Sequence, residues 1–437
     1  MLKNIPAALV EAFWRRVDDV IGSDKQNALA VRAARAETIV LVYYVYLMAM
    51  SYGLVRTASN LFPKPVQPSL ELALTSWIPL DSWRQIAVGL ALLMLVASIL
   101  AATIPRWRIP RIMAIVSFLL LEAMKFDQGG KISHGSYPLM WAGIAFCFLP
   151  SLKNDSSERC RNYLASFFGA QVLVCLLYTS AGLSKVIGIA YDWSSGVTWL
   201  NPEALPLMLS AGWATWRPPE FFPVAAFLVL NPWAAWLSNV GVLYLEIVAI
   251  FAVFRPRLHR PWAFGLLVMH AMIWLTIAIQ FRQSAFGVGL ILLASPFAPN
   301  KLELKETLLD LPLVRFVHQR LRALRGARAD GNHQRESSKD APWVPSSMVM
   351  KLWIPVLVIV YLCVAFGNLD KHAGFEPGSR QTRSRPGGEV FPISALPMFM
   401  RIPSNEKNVQ RLAKLRRRLE RAKEGNVVND RKQEKGR

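Results

Sequence analysis

Five residues in one apolar stretch, Gln171, Cys175, Tyr178, Gly182 and Lys185, follow intervals of four, three, four and three, which place them on a single helix face. An amide, a thiol, a phenol and an amine therefore line one stripe of an otherwise apolar segment. A charge at bilayer depth costs about 3 kcal/mol on insertion scales, so such a stripe turns toward other helices or a water-filled space. Its ionisable members are the first candidates for chemistry. An amine enclosed by apolar groups is favoured in its neutral form and can accept a proton. At a span end it can instead snorkel to the headgroups, and both readings stand for Lys185.

The other ionisable residues inside apolar runs are few. Glu246 shares a face with Asn239, Leu243 and Ile250, and His270 falls in line with Trp274 and Phe281. A carboxylate and an imidazole at similar depth can pair, or each can lock one helix to another. Glu122 lies one turn before Lys125, the spacing of a simple helix salt bridge. In the run KISHGSYPLMW, His134 and Tyr137 are three apart across Gly135 and Ser136, and Pro138 suits the first turn of a helix. Missing motifs narrow the chemistry. The chain has no G-x-x-x-x-G-K-[ST], no G-x-S-x-G and no H-E-x-x-H, so phosphoryl transfer and hydrolase-elbow chemistry are not expected. Cys147, Cys160, Cys175 and Cys363 follow no metal or redox spacing, and neither a disulfide framework nor a zinc site is expected.

The elements that position these groups are membrane spans. Of 437 residues, 53% are apolar and only 18% charged, against about 25% charged in an ordinary soluble domain. A net charge of +21 raises nucleic acid as a partner, but the Lys and Arg sit in short loops and tails between apolar runs, which points to a membrane surface and to no nucleic acid. Nine windows approach the roughly 20 residues of a span: 38–55, 85–104, 112–124, 137–152, 163–186, 233–254, 262–279, 284–298 and 349–366. With the N-terminus cytoplasmic, the inner loops hold Arg106, Arg108 and Arg111, then Lys153, Arg159 and Arg161, then Arg255, Arg257 and Arg260. The opposite loops are longer and hold fewer, as the positive-inside rule requires.

The expected fold is an all-α, polytopic transmembrane helical bundle of about nine spans. Segments 61–83 and 194–222, rich in Pro and Trp, read as interfacial or re-entrant outer pieces. The divisions are an amphipathic N-terminal segment 1–36, a transmembrane unit 37–300, a basic cytoplasmic insert 301–347, a last span 348–368 and a basic tail 369–437. The insert is expected to be helical over 302–324. In the tail, Ser404 can cap a helix ending near Gly425, with Val409, Leu412, Leu415 and Leu419 on one stripe and Arg416, Arg417, Arg418 and Arg421 around it. That helix reads as one resting on anionic lipid headgroups.

The run YTSAGLSKVIGIAYDWSSGVTW resembles the Y-x-x-A-G-x-x-K signature, followed by W-x-x-G, of the horizontally transferred transmembrane (HTTM) domain, the membrane part of vitamin K-dependent gamma-carboxylases and their bacterial relatives. SHGSYPLMW resembles that family's outward His-Ser-Tyr loop, and FPISALPMFM, at 391–400, its aromatic and Met-rich tail. The resemblance spans about residues 30–300. It implies Lys185 as the base toward a reduced naphthoquinone, His134 as the functional histidine, and Tyr137, Tyr178, Trp193, Glu246 and His270 around the substrate. It further implies coupling of quinone oxygenation to proton abstraction from a glutamate and carboxylation of the resulting carbanion, in a multi-pass protein of the bacterial inner membrane. Two departures redirect that expectation. The tail is too short to form the carboxylases' substrate-binding domain, and Ser184 stands where they carry a second lysine. A quinone-linked relative of different chemistry is expected, with a non-catalytic assembly or transport component as the alternative. A looser likeness, through A-G-x-x-K alone, is to DoxX-like quinone-linked oxidoreductases, which are four-span units.

Overall fold

The computed structural model describes residues 7–22, 26–61, 78–129, 134–152, 156–191, 198–210, 223–277, 280–324, 343–367 and 406–435. Trp193, Gly196, Ser404 and the run 391–400 lie outside them, as does the side chain of His134. Among the described residues every regular element is helical.

Helix α1 (Ala7–Ile21) lies across one end of the bundle. It stops at Gly22, whose φ of 82° is a left-handed conformation that favours glycine, and the Gly22 N–H closes on the Asp18 carbonyl at 2.8 Å. Arg32 then donates to the freed Ile21 carbonyl at 2.6 Å, fixing the turn into α2 (Gln26–Leu61). Trp14 of α1 donates to the Lys351 carbonyl at 3.1 Å, and Asp18 pairs with Arg161 at 3.0 Å, so α1 ties the start of the last apolar helix to the central one.

Helices α2, α3 (Trp83–Thr103) and α4 (Arg108–Gly129) pack in succession at the periphery, where Leu41, Val45, Val96, Ile112 and Val116 are exposed. Short α5 (Tyr137–Phe146) is almost wholly buried against α6 (Ser157–Tyr191). Helix α6 is the axis of the fold: 83% of its apolar window is buried, against 39% and 33% for α2 and α3. A helix that is apolar all round and enclosed all round can afford few unpaired polar groups, so its polar stripe must find partners. The chain continues through α7 (Ala204–Ser210), α8 (Pro223–Leu230), α9 (Pro232–Ile247) and α10 (Ala249–Val253). Helices α8 and α9 meet at a 108° bend at Asn231, where Pro232 has no N–H to continue a helix and starts a new one. Then follow α11 (His259–Ile277), α12 (Arg282–Val288) with a π-helical extension Gly289–Leu293, α13 (Leu304–Asp310), α14 (Pro312–Leu324), α15 (Met348–Gly367) and α16 (Glu406–Lys435).

Each of the nine apolar windows overlaps one of these helices or a broken pair, with 137–152 and 284–298 running past the helix ends at Phe146 and Leu293. Three helices, Asn27–Thr57, Trp83–Thr103 and Ser157–Ala190, are long and apolar enough to cross a membrane, and the bent pair α8 and α9 makes a fourth if it is one path. The molecule is therefore an all-helical bundle consistent with a membrane protein.

The tail helix departs from expectation in two ways. It runs on through Gly425 to Lys435, because one glycine costs a helix only about 1 kcal/mol. Its leucine stripe also lies on protein: Leu412, Leu415 and Leu419 are buried against α7 and α8, leaving Val409 exposed. Arg416 completes the seat, donating to the Val229 carbonyl of α8 at 3.0 Å and pairing with Glu203, next to α7, at 2.6 Å. Leu415→Asp would bury a carboxylate in this contact and should free α16, seen as faster tryptic cleavage between Arg411 and Arg421. Unaltered cleavage would mean that the stripe does not hold the helix.

Candidate functional site

The site forms where α6 meets the break between α9 and α10. Gly182 lets the two backbones touch, since a Cβ there would lie 2.8 Å from the Ile247 nitrogen and 3.0 Å from the Glu246 Cβ. One turn earlier, Thr179 reaches into the break itself. Its Oγ1 accepts from the Ile250 N–H at 3.0 Å and donates to the Ile247 carbonyl at 3.5 Å, serving backbone groups that the interruption leaves open. This docking sets the register at which Lys185, one turn on from Gly182, meets Glu246: Nζ to Oε2 is 2.6 Å, with both side chains under 9% exposed. Trp199 lies over the same ammonium, its ring centroid 5.6 Å from Nζ.

A second polar pair lies nearby. The Tyr178 hydroxyl is 2.7 Å from Nε2 of His270, both groups buried. Nδ1 of His270 has no hydrogen-bond partner among the described residues. When the phenol donates to Nε2, Nδ1 carries the proton and is a donor; in the other tautomer it is an acceptor. Either way one ring nitrogen is left without a partner among the described residues. Phe281 packs on that imidazole at 5.4 Å between centroids.

Both pairs face one cavity of about 450 Å³. Its walls are mostly apolar, from Leu177 of α6, Met208 of α7, Leu228 of α8, Leu245 of α9 and Met269 and Ile273 of α11. Phe264 and Val268 also border it while 65% and 44% exposed, so the space reaches the outer face of α11. That volume and lining suit one mid-sized apolar molecule with a small polar head. The helices α7 and α8 that roof it are those clamped by α16.

The polar stripe of α6 divides. Gln171 serves the other half of the bundle, donating to the Ile291 carbonyl of the π segment at 2.8 Å and to Ser295 at 2.9 Å, and Ser295 bonds His259 at 2.8 Å. Tyr178 and Lys185 line the cavity with Glu246 and His270, the residues named from sequence. Their partners differ from one expected arrangement, since Glu246 pairs with Lys185 and His270 with Tyr178, instead of carboxylate with imidazole. Lys185 does not snorkel; it is 4% exposed and turned inward. Tyr137 is fully buried in the main core and is not on the cavity wall, because α5 is packed on nearly every side.

His134 begins a 3₁₀ turn, His134–Ser136, held from two directions, one of them the site. Ser284, on the cavity wall, donates to the Gly135 carbonyl at 3.0 Å, and Ser136 donates to Glu122 at 2.8 Å. Glu122 also pairs with Lys125 at 2.5 Å, as their spacing implies. Sequence reasoning missed Trp199 and Ser284. Each sits in or beside a loop without periodicity, so only the fold brings it to the cavity. Asn239, noted for its face, also lines the cavity.

Fold and site together define an all-helical, membrane-type protein with a largely apolar cavity, open toward the outer face of α11, carrying a buried ion pair and an imidazole whose Nδ1 has no partner among the described residues. No family model, curated protein or solved structure matches the chain.

Proposed function

We propose that this chain is a multi-pass protein of about nine spans in a bacterial inner membrane, HTTM-like in its core, which binds a lipid-soluble quinone or reduced naphthoquinone and moves a proton at its hydroxyl through Lys185 and Glu246. The observation that carries this reading is the Lys185–Glu246 pair on the same apolar wall as His270, whose Nδ1 has no partner among the described residues. The proton balance is simple. The Lys185 ammonium passes a proton to the Glu246 carboxylate, and the neutral amine then takes the proton of a ligand hydroxyl. An ammonium beside a carboxylate becomes an ammonium beside a ligand oxyanion, so the site's net charge is unchanged and no lone charge is left in an apolar space. His270 Nδ1 supplies the hydrogen bond that orients the head, and Phe264 and Val268 border the path from lipid. His134 enters through its backbone turn against Ser284.

A crossing by α15 gains support from the sides on which the extra elements lie. Helix α13 is held by Arg255 and Arg257 of the loop after α10, whereas α16 sits on α7 and α8, between the C-terminal end of α6 and the N-terminal end of α9. An odd number of crossings places these two at opposite faces. The basic side of α16, with exposed Arg417 and Arg421, is then free to meet anionic headgroups on its own face.

The test is quinone consumption by purified membranes carrying Lys185→Ala or Lys185→Met. Losing a proton-transfer group should lower turnover about 100-fold or more. Undiminished turnover in both would remove the base. Tyr178→Phe should weaken quinone binding with a smaller loss of turnover, because it frees the imidazole without removing the base; a tighter-binding Tyr178→Phe protein would contradict that orienting role.

A second reading, a non-catalytic assembly or transport component, is favoured by one observation: Lys185 and Glu246 satisfy each other, as charges that only fasten α6 to α9 would. It predicts coupled losses of stability with intact function.

A further inference from the structure

Two basic amphipathic helices flank the bundle, and their apolar faces have different fates. The stripe of α16 is buried on α7 and α8. That of α14 is bare: Leu313, Phe316, Val317 and Leu321 are 46–60% exposed, at spacings of three, one and four that put them on one face. Arg315 is exposed on the opposite side, Arg320 lies over the Phe316 ring at 5.5 Å within the apolar face, and the sequence adds Arg322, Arg325 and Arg328 before the first acidic residue, Asp330.

We propose that α14 lies in the plane of the membrane surface on the side of the inner loops, with Leu313, Phe316, Val317 and Leu321 sunk among lipid chains and its arginines on anionic phospholipid headgroups. Three observations select lipid as the occupant. First, α14 is anchored at the bundle end. Arg257 of the short loop between α10 and α11 pairs with Glu306 of α13 and, at 3.9 Å, with Asp310, while Arg255 donates to the Asp310 carbonyl. Second, the joint is tight, because Leu311 alone separates α13 from α14 and Arg315 reaches back to Asp310 at 4.0 Å. The helix therefore cannot swing far from the membrane face. Third, the exposed side chains join large apolar ones to guanidinium groups without a carboxylate, the pattern that complements an anionic bilayer surface.

The test uses the full chain in proteoliposomes, with the four native cysteines replaced by serine and a single environment-sensitive fluorophore placed at Phe316→Cys or, as a second reporter of the same face, Leu313→Cys. His318→Cys reports a half-buried position off the stripe. In vesicles of mixed phosphatidylcholine and phosphatidylglycerol, acyl-chain quenchers should quench positions 313 and 316 and leave 318 accessible to aqueous iodide. In phosphatidylcholine alone, quenching at 313 and 316 should fall several-fold. Absence of acyl-chain quenching at both positions would overturn the proposal, whether iodide reaches them or another protein surface shields them. Equal quenching in the two lipid mixtures would overturn the part assigned to the arginines.

Discussion

Replacing Lys185 by Met should cost about 3–5 kcal/mol of folding stability, and replacing Glu246 by Leu should cost a similar amount, because each leaves a charge in an apolar cavity without its partner. The double replacement should recover most of the loss. Two apolar side chains of similar volume fill the space, no charge remains to be desolvated, and such exchanges are often neutral in stability. Thermal unfolding of the four proteins in one detergent gives the coupling directly. Additive losses, with the double replacement the least stable of the four, would mean that the 2.6 Å contact does not link α6 to α9. The same set separates the two functional readings. If the pair only fastens helices, the recovered double replacement keeps the function; if it moves a proton, the double replacement is folded and inactive.

Gly182→Ala should be the most damaging single-methyl change in the site. Its new Cβ would lie 2.8 Å from the Ile247 nitrogen, a backbone atom at a helix break already pinned by Thr179, so nothing nearby can yield cheaply. Overpacking of this kind costs about 1–3 kcal/mol. Prising α9 away would also part Lys185 from Glu246, so turnover should fall with stability. Gly265→Ala offers a matched contrast, since its Cβ would meet only the Leu245 side chain, with the flexible Cδ2 nearest at 2.9 Å. Gly89→Ala, on the exposed side of α3 with nothing within 4 Å, should be neutral or gain up to about 1 kcal/mol from helix propensity. Unfolding midpoints of the three proteins should therefore rank Gly182→Ala lowest and Gly89→Ala highest. A Gly182→Ala protein as stable as Gly89→Ala would show that the helices do not approach as closely as described.

What was legible in the sequence was whatever periodicity reports. The stripe Gln171, Cys175, Tyr178, Gly182, Lys185 was visible because polar groups are rare in an apolar run and four intervals of three or four residues fix one face. Glu246 and His270 stood out for the same reason. Their pairing was not legible, because which carboxylate meets which base depends on the relative depth of helices from distant parts of the chain. Here that depth is set by Thr179 entering a backbone break and by the absence of a side chain at Gly182, two features that hydropathy does not register. Trp199 and Ser284 reach the cavity from loops or helix starts, where residue type says nothing about direction. The amphipathic character of α16 and α14 could be read directly, but whether protein or lipid covers each apolar face depends on tertiary position. The α16 stripe, expected on headgroups, turned out to brace the cavity's roof.

The cavity beside Lys185 and His270 is the centre of the account, and an inventory of small lipid-soluble molecules by mass spectrometry of the gently purified protein tests it most directly. A quinone present near one per chain in the unaltered protein, and depleted several-fold by His270→Ala, is the predicted result. Phospholipid alone, in the same amounts from both proteins, would contradict it.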